Sequence, residues 1–424
     1  MKNLKLRLIV MNFLEFAVWG AYLTSMGGYL FSHGLGEQIG WFYAVQGIVS
    51  LFMPALMGIL ADRWLPAQKV VSLSHAIAGL LMIAAGYYAM TSGDSVQFGP
   101  LFTLYTLSVA FFMPTIGLTN SVAFNALTKA GMDTVKAFPP IRVFGTIGFI
   151  CSMLTVDFSG MQHTYGQFIM SGVLSLVLAA YALTLPNCPV STERKSNSLV
   201  DIFGLRAFTL FKDKRMAIFF IFSMLLGVSL QISNSYANAF ISSFADLEQY
   251  ADTFAAQHAN ALISLSQMSE TLCILLIPFF MKRFGIKNVM LIAMFGWVFR
   301  YGLFGVGNPG MPGVLAFVLS CIVYGVAFDF FNISGALYVD QQTDESIRSS
   351  AQGLFMIMTN GIGATIGTLS AQQVVNKFVT SQADTAAQMA GWSTSWYIFA
   401  GYALIVAILF MFIFKNPENQ VSKS

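Results

Sequence analysis

Charged side chains are scarce in this sequence: 22 Lys and Arg and 19 Asp and Glu make up 10% of 424 residues, where a soluble domain carries roughly 25%. Hydrophobic residues account for 56% and the mean hydropathy is +0.69. No water-soluble fold hides that much apolar surface. The net charge of +3 is small and scattered along the chain, which argues against nucleic acid as a partner. Cysteine and histidine are equally sparse, four of each. Cys151, Cys273 and Cys321 fall inside apolar runs and Cys188 in a polar stretch, with no CxxC or Cys/His spacing of a metal site. They are expected to be unpaired packing residues, so neither disulfide, metal nor cofactor is expected. His33, His75, His163 and His258 are too dispersed to supply a nucleophile/base pair or metal ligands at helical spacing, and an enzyme is not expected.

What the chain has in abundance is long apolar runs. They lie near 6–32, 39–61, 68–91, 98–122, 138–161 and 165–185, and again near 216–243, 256–281, 287–306, 312–338, 349–376 and 391–414. Each suits the ~20 residues a helix needs to cross a bilayer. The expected fold is an all-α membrane protein of twelve transmembrane helices in two six-helix bundles, residues 1–185 and 216–424, joined by a central loop at 186–215. Met1 to Arg7 is a short basic flank without a small-residue cleavage site, read as the start of a retained first helix.

The remaining Lys and Arg fall on one set of loops. The central segment holds Arg194, Lys195, Arg206, Lys212, Lys214 and Arg215; Arg63, Lys69, Lys129, Lys136, Lys282, Arg283, Lys287 and Arg348 belong to the same side, and Lys377 to the other. Positive residues stay cytoplasmic, so both termini and the central loop are expected there. The halves also echo one another: Gly58-Ile59-Leu60-Ala61-Asp62-Arg63 ends the second run and Phe279 to Gly285 the eighth. Such repeats put a substrate site near the bilayer midplane, between two bundles that rock against each other. The first of these stretches resembles the GxLaDrxG loop of the major facilitator superfamily, with Trp64-Leu65 in place of its last glycine. Asp62 beside Arg63 is either a latch between the halves or an ordinary pair of solvated loop charges.

Ionisable residues inside apolar spans are costly unless they are paired or line a wet path, and Glu15, Arg142, Glu270, Arg300 and Asp329 are the clearest. Arg142, Thr146 and Phe149 share one helix face at i, i+4, i+7; a cation, a hydroxyl and a ring there suit a polar ligand containing a ring, unless Arg142 merely snorkels to the interface. Gln231 and Asn234 form a second polar stripe, continued by Asn238, and Gln267 with Glu270 a third. Amides both donate and accept, although helix-to-helix hydrogen bonding is the plainer alternative. Asp329 stands mid-span and is expected to exchange a proton, beside an aromatic stripe of Tyr324, Phe328 and Phe331. Arg300 is expected to pair with an acid that the sequence does not identify.

Longer matches are more specific. Phe138-Pro139-Pro140-Ile141-Arg142-Val143-Phe144-Gly145-Thr146-Ile147-Gly148-Phe149, Lys214 to Gly227, Ala327-Phe328-Asp329-Phe330-Phe331-Asn332-Ile333-Ser334-Gly335, Ala351-Gln352-Gly353 and Met358-Thr359-Asn360-Gly361 resemble segments of the bacterial nucleoside:proton symporter family. The resemblance covers nearly the whole chain. It implies a monomeric major facilitator transporter of the inner membrane that moves nucleosides inward with protons. By that resemblance Arg142, Thr146, Phe149, Gln231, Asn234, Gln267, Glu270, Tyr324, Phe328 and Asp329 line the nucleoside site, with Asp329, Glu270 and Glu15 as proton-coupling candidates. Glu15, in Leu14-Glu15-Phe16-Ala17-Val18-Trp19-Gly20, departs from the family's glutamine and is either an extra proton site or a partner for another helix. A sugar or small-glycoside symporter on the same fold is the main rival. A drug exporter is disfavoured because Gly145-Thr146-Ile147-Gly148 lacks that group's proline, and a passive channel because of the buried acids.

Overall fold

A computed structural model describes residues 3–188, 205–343 and 348–415. Among them there is no β-strand. The first half consists of α1 (Leu4–Gly20), α2 (Met26–Ser32), α3 (Ile39–Ser50), α4 (Met53–Arg63), α5 (Ala67–Ser92), α6 (Phe98–Lys129), α7 (Thr134–Phe158) and α8 (Gly166–Ala182). The second consists of α9 (Lys214–Ser243), α10 (Ala259–Val306), α11 (Val314–Gln342), α12 (Arg348–Met356), α13 (Ala364–Val375) and α14 (Thr385–Ile413), with a π-helical stretch, Ile357–Gly363, joining α12 to α13. Helices are the expected answer to a chain this apolar, because in hydrocarbon each backbone N–H and C=O must be satisfied within its own segment.

Local chemistry sets the breaks. Asp213 caps α9, its side chain accepting from the amides of Arg215 at 2.7 Å and Met216 at 3.1 Å, and Asp384 caps α14 by accepting from Ala387 N at 2.8 Å. Pro54 sits in the first turn of α4, and α3 and α4 meet at a 42° bend. Gly285, at φ 74°, interrupts the 48-residue α10 with a conformation that suits glycine. The predicted runs 256–281 and 287–306 are therefore the two arms of one hydrogen-bonded element. The predicted run 6–32 is broken by a turn between α1 and α2.

Among the described residues eight helices are long and apolar enough to cross a membrane, or nine if the bent α3/α4 pair counts as one span. The 17-residue α1 and α8 fall just short of the ~20 residues a crossing needs, so length and composition alone do not reproduce the expected twelve. Arg194 and Lys195 lie outside the described residues, as do the side chains of Asp62, Arg63, Arg206 and Arg348, on which the charge pattern and the loop latch partly rest.

Within the first half α1 packs on α7 and α8, and α5 on α6 and α8; within the second α10 packs on α11 and α14, and α9 on the π stretch and α13. Small residues permit the closest approach: a Cβ on Gly148 of α7 would stand 2.1 Å from the Phe13 carbonyl of α1. Between the halves, α2 meets α9, α3 meets α13 and α7 meets α10.

Candidate functional site

The contacts between halves gather at the end of the bundle away from residues 205–212. Gln372 ties α13 to the first half, accepting from Gly40 N at 2.5 Å and donating to Gly36 O at 2.9 Å. Asp157, at the end of α7, bonds His258 Nδ1 at 2.7 Å and accepts from Ala261 N at 2.6 Å. Gln162 donates to Gln257 O at 2.6 Å. At the other end the halves part around a cavity of about 860 Å³, which runs from Trp19 to Pro54, Phe208 and Gly353. That volume falls within the ~300–1,000 Å³ usual for small-molecule sites.

Of the ten predicted site residues, nine line this cavity: Arg142, Thr146 and Phe149 from α7, Gln231 and Asn234 from α9, Gln267 and Glu270 from α10, and Tyr324 and Phe328 from α11. Arg142 does not snorkel away. Its guanidinium carbon lies 3.8 Å from the centroid of the Phe16 ring, and Glu270 and Glu15 are its acidic neighbours. Asn234 Nδ2 donates to Gln231 Oε1 at 3.0 Å, leaving the rest of both amides for a ligand. Tyr324 and Phe328, one turn apart, stack at 5.7 Å with 15° between ring planes.

Three expectations need correction. Asp329 is not part of the cavity wall: it is buried behind it, 4% exposed, with Oδ2 lacking a hydrogen-bond partner and Glu270 as its electrostatic neighbour. Tyr324 and Phe328 on α11 face the cavity, and the residue after Phe328 faces elsewhere by the 100° step of a helix. Asn238 leaves the cavity and joins the closed end, donating to Asn260 Oδ1 at 2.9 Å. Arg300, fully buried, has no carboxylate within ion-pair reach among the described residues. It is held instead by Ser233 Oγ at 2.7 and 2.9 Å, Ser266 Oγ at 3.3 Å and Ser320 O at 2.9 Å, with its guanidinium carbon 4.6 Å from the Tyr324 ring centroid. Hydroxyls and rings solvate this cation where a counter-ion was expected.

The cavity also uses residues beyond those expected from the sequence. Phe16 and Trp19 form its wall on α1, Trp19 meeting Phe149 edge-on at 6.3 Å. The Trp19 indole donates to Gln46 Oε1 at 3.3 Å, and Gln46 Nε2 donates to Tyr105 Oη at 2.9 Å. The i, i+3 spacing of Phe16 and Trp19 beside Glu15 carried that signal.

Two helical halves that meet at one end and part at the other around a polar, ring-lined cavity define a membrane transporter of the solute-carrier type. Residues 1–419 match the family described as Nucleoside H+ symporter. The chain is 45% identical to the xanthosine permease of Escherichia coli K12 over 98% of both chains, and 45% identical to the nucleoside permease NupG of the same organism, over 99% of this chain and 98% of that one. The crystal structure of an aspartate-to-alanine variant of nucleoside transporter NupG superposes with a TM-score of 0.91 at 44% identity, covering 97% of this chain and all of that one. The chain belongs to the nucleoside H+ symporter family and is a multi-pass membrane protein.

Proposed function

We propose that this chain carries nucleosides and protons together into the cell across the bacterial cytoplasmic membrane, by alternating access of the central cavity to the two sides. The observation that carries this reading is the composition of the cavity wall. One cation (Arg142), one acid (Glu270), amides that include Gln231, Asn234 and Gln267, and the stacked Tyr324 and Phe328 converge on a single space. Amides and carboxylate match ribose hydroxyls and the edge of a base, and a ring face matches its plane. The permeases that the chain resembles are named for nucleosides, which supports that substrate class over sugars.

The finer architecture belongs to the same proposal. Taking α10 as two crossings, the bent α3/α4 pair as one, and α1 with α2, and α8, as one each gives twelve. A division into 1–185, 186–215 and 216–424 is part of it, and the packing of α1 on α7 and α8 and of α10 on α11 and α14 supports the two halves. One chain supplies both walls of the cavity, so a monomer suffices. Glu270, Asp329 and Glu15 are the acids available to carry the coupled proton.

With the basic loops cytoplasmic, the open end of the cavity faces inward and the Asp157–His258 end outward. A reporter enzyme fused after Ser198 is then expected to be active in the cytoplasm and one fused after Asp246 on the opposite side. Both reporters on one face would overturn the crossing count.

Competition tests the substrate class: free nucleosides, and not free sugars, are expected to displace a bound labelled nucleoside from purified protein. Replacing Gln231, Asn234 or Gln267 singly by Ala is expected to weaken binding by ~1–3 kcal/mol, with the folded fraction unchanged. Displacement by sugars would favour the glycoside rival. Normal affinity in all three variants would return these amides to helix packing.

A further inference from the structure

Glu15, an ionisable residue inside an apolar span, faces away from the cavity into the centre of the first half. It meets His75, the two groups being fully buried, with Glu15 Oε2 2.8 Å from His75 Nε2. On the far side of the ring, Ser175 Oγ lies 2.9 Å from His75 Nδ1 and 2.9 Å from the His75 carbonyl oxygen. A carbonyl only accepts, and the single Ser175 hydroxyl proton can turn toward it or toward His75 Nδ1: in the first case Nδ1 donates to Ser175 Oγ, in the second Nε2 carries the proton of the neutral ring and donates to Glu15 Oε2, so both protonation states of the pair can be satisfied. In the first case the Nε2 to Oε2 contact needs a proton of its own. With none there, two acceptors would face each other at 2.8 Å in a site without water-accessible surface. With one, the contact is either an imidazolium–carboxylate pair or a carboxylic acid donating to a neutral ring.

The second carboxyl oxygen can tolerate either form. Thr115 Oγ1 is 2.7 Å from Glu15 Oε1 and 2.6 Å from the Phe112 carbonyl oxygen, and its single hydroxyl proton can turn toward one or the other. The surroundings are simple. α1 packs against α6, α7 and α8, and His75 reaches it from α5. α5 contributes His75, α7 contributes Arg142, and α6 and α8 contribute uncharged groups, among them the hydroxyls of Thr115, Ser175 and Ser171, the last donating to Val18 O of α1 at 2.8 Å. Arg7 of α1 and Tyr181 of α8 meet at the helix ends, about 12 Å along α1 from Glu15 at 1.5 Å per residue. Arg142 has both Glu15 and Glu270 as charged neighbours and lines the cavity.

We propose that Glu15 and His75 form a second proton-binding site, inside the first half, that is linked electrostatically to the substrate cavity through Arg142. The pair of Glu15 and His75 binds one exchangeable proton. Its loss leaves net negative charge beside Arg142, and its retention removes that charge, so occupancy changes the field that a ligand of Arg142 meets. The proton site stands on the hydrogen-bond geometry alone; its link to transport rests on the nucleoside reading given above.

Nitrogen-15 NMR of histidine-labelled protein tests the first part, because only four histidines contribute and His75→Asn identifies the resonance. In the unsubstituted protein the His75 Nε2 resonance is expected to move with pH, and in the isosteric Glu15→Gln, whose amide keeps its protons, to stay still. A resonance that moves equally in both, or does not move in the unsubstituted protein, overturns the site. Nucleoside affinity measured against pH tests the link: removing a fully linked proton changes the dependence by up to ~10-fold per pH unit. Identical affinity profiles in the two proteins overturn the link, and failure of the unsubstituted protein to bind any nucleoside overturns the nucleoside reading without touching the NMR result.

Discussion

Glu270→Gln is expected to abolish the accumulation of nucleoside driven by a pH difference while leaving exchange of nucleoside across the membrane measurable. The substitution keeps the shape and the hydrogen-bonding reach of a side chain in the cavity wall, between Arg142 and Asp329, and removes its ability to bind and release a proton. With one proton per nucleoside, a pH difference of one unit sustains a concentration ratio of about 10; without the coupled proton that ratio collapses to one. Exchange requires only that the loaded carrier change access. Asp329→Asn is the necessary comparison, since Asp329 is buried behind the wall with an unpartnered oxygen. If proteoliposomes bearing Glu270→Gln and those bearing Asp329→Asn both still concentrate nucleoside as the unsubstituted protein does, neither acid is the sole coupling group. The buried Glu15 then becomes the candidate to test.

Arg300→Met is expected to be the most damaging single change to the folded protein. The guanidinium is the donor that satisfies Ser233, Ser266 and the Ser320 carbonyl, and it lies under the Tyr324 ring that forms part of the cavity wall. Leaving a buried hydroxyl or carbonyl of this network without its donor costs about 1–3 kcal/mol for each group so left. Tyr324 also loses the cation that positions it, so a lower thermal midpoint and weaker nucleoside binding are expected together. Arg300→Lys keeps the charge but not the fork of donors and is expected to fall between. Unchanged melting in the Met variant would mean that the serines re-pair without help from this residue.

How far the sequence could be read depended on whether the signal was local. Apolar runs and flanking charges are local, and they located almost every long helix. They missed the turn between α1 and α2 and the bend between α3 and α4, because neither interrupts hydropathy. Helical spacing placed Arg142, Thr146 and Phe149 on one face and Gln231 with Asn234 on another, and both faces line the cavity. The same reasoning carried Asn238 one turn too far, since the cavity ends where α2 and α9 touch. Asp329 was grouped with its neighbours because its cost in an apolar span is visible in sequence, whereas the direction of its side chain is not. Contacts between distant segments left no trace: His75 is 60 residues from Glu15, and Asp157 is 101 from His258. Only the cost of an ionisable Glu15 inside an apolar span marked one of these places as unusual. The serines around Arg300 were invisible for the same reason, and an acid was expected where two serine hydroxyls and the Ser320 carbonyl suffice.

The most direct test of proton-coupled nucleoside uptake is a filtration assay on proteoliposomes containing the purified protein, loaded at one pH and diluted into labelled nucleoside at a lower or an equal pH. With the outside acidic, internal nucleoside is expected to rise above the external concentration and to fall back when a protonophore dissipates the gradient. Uptake that stops at equal concentrations whatever the pH difference would contradict the account.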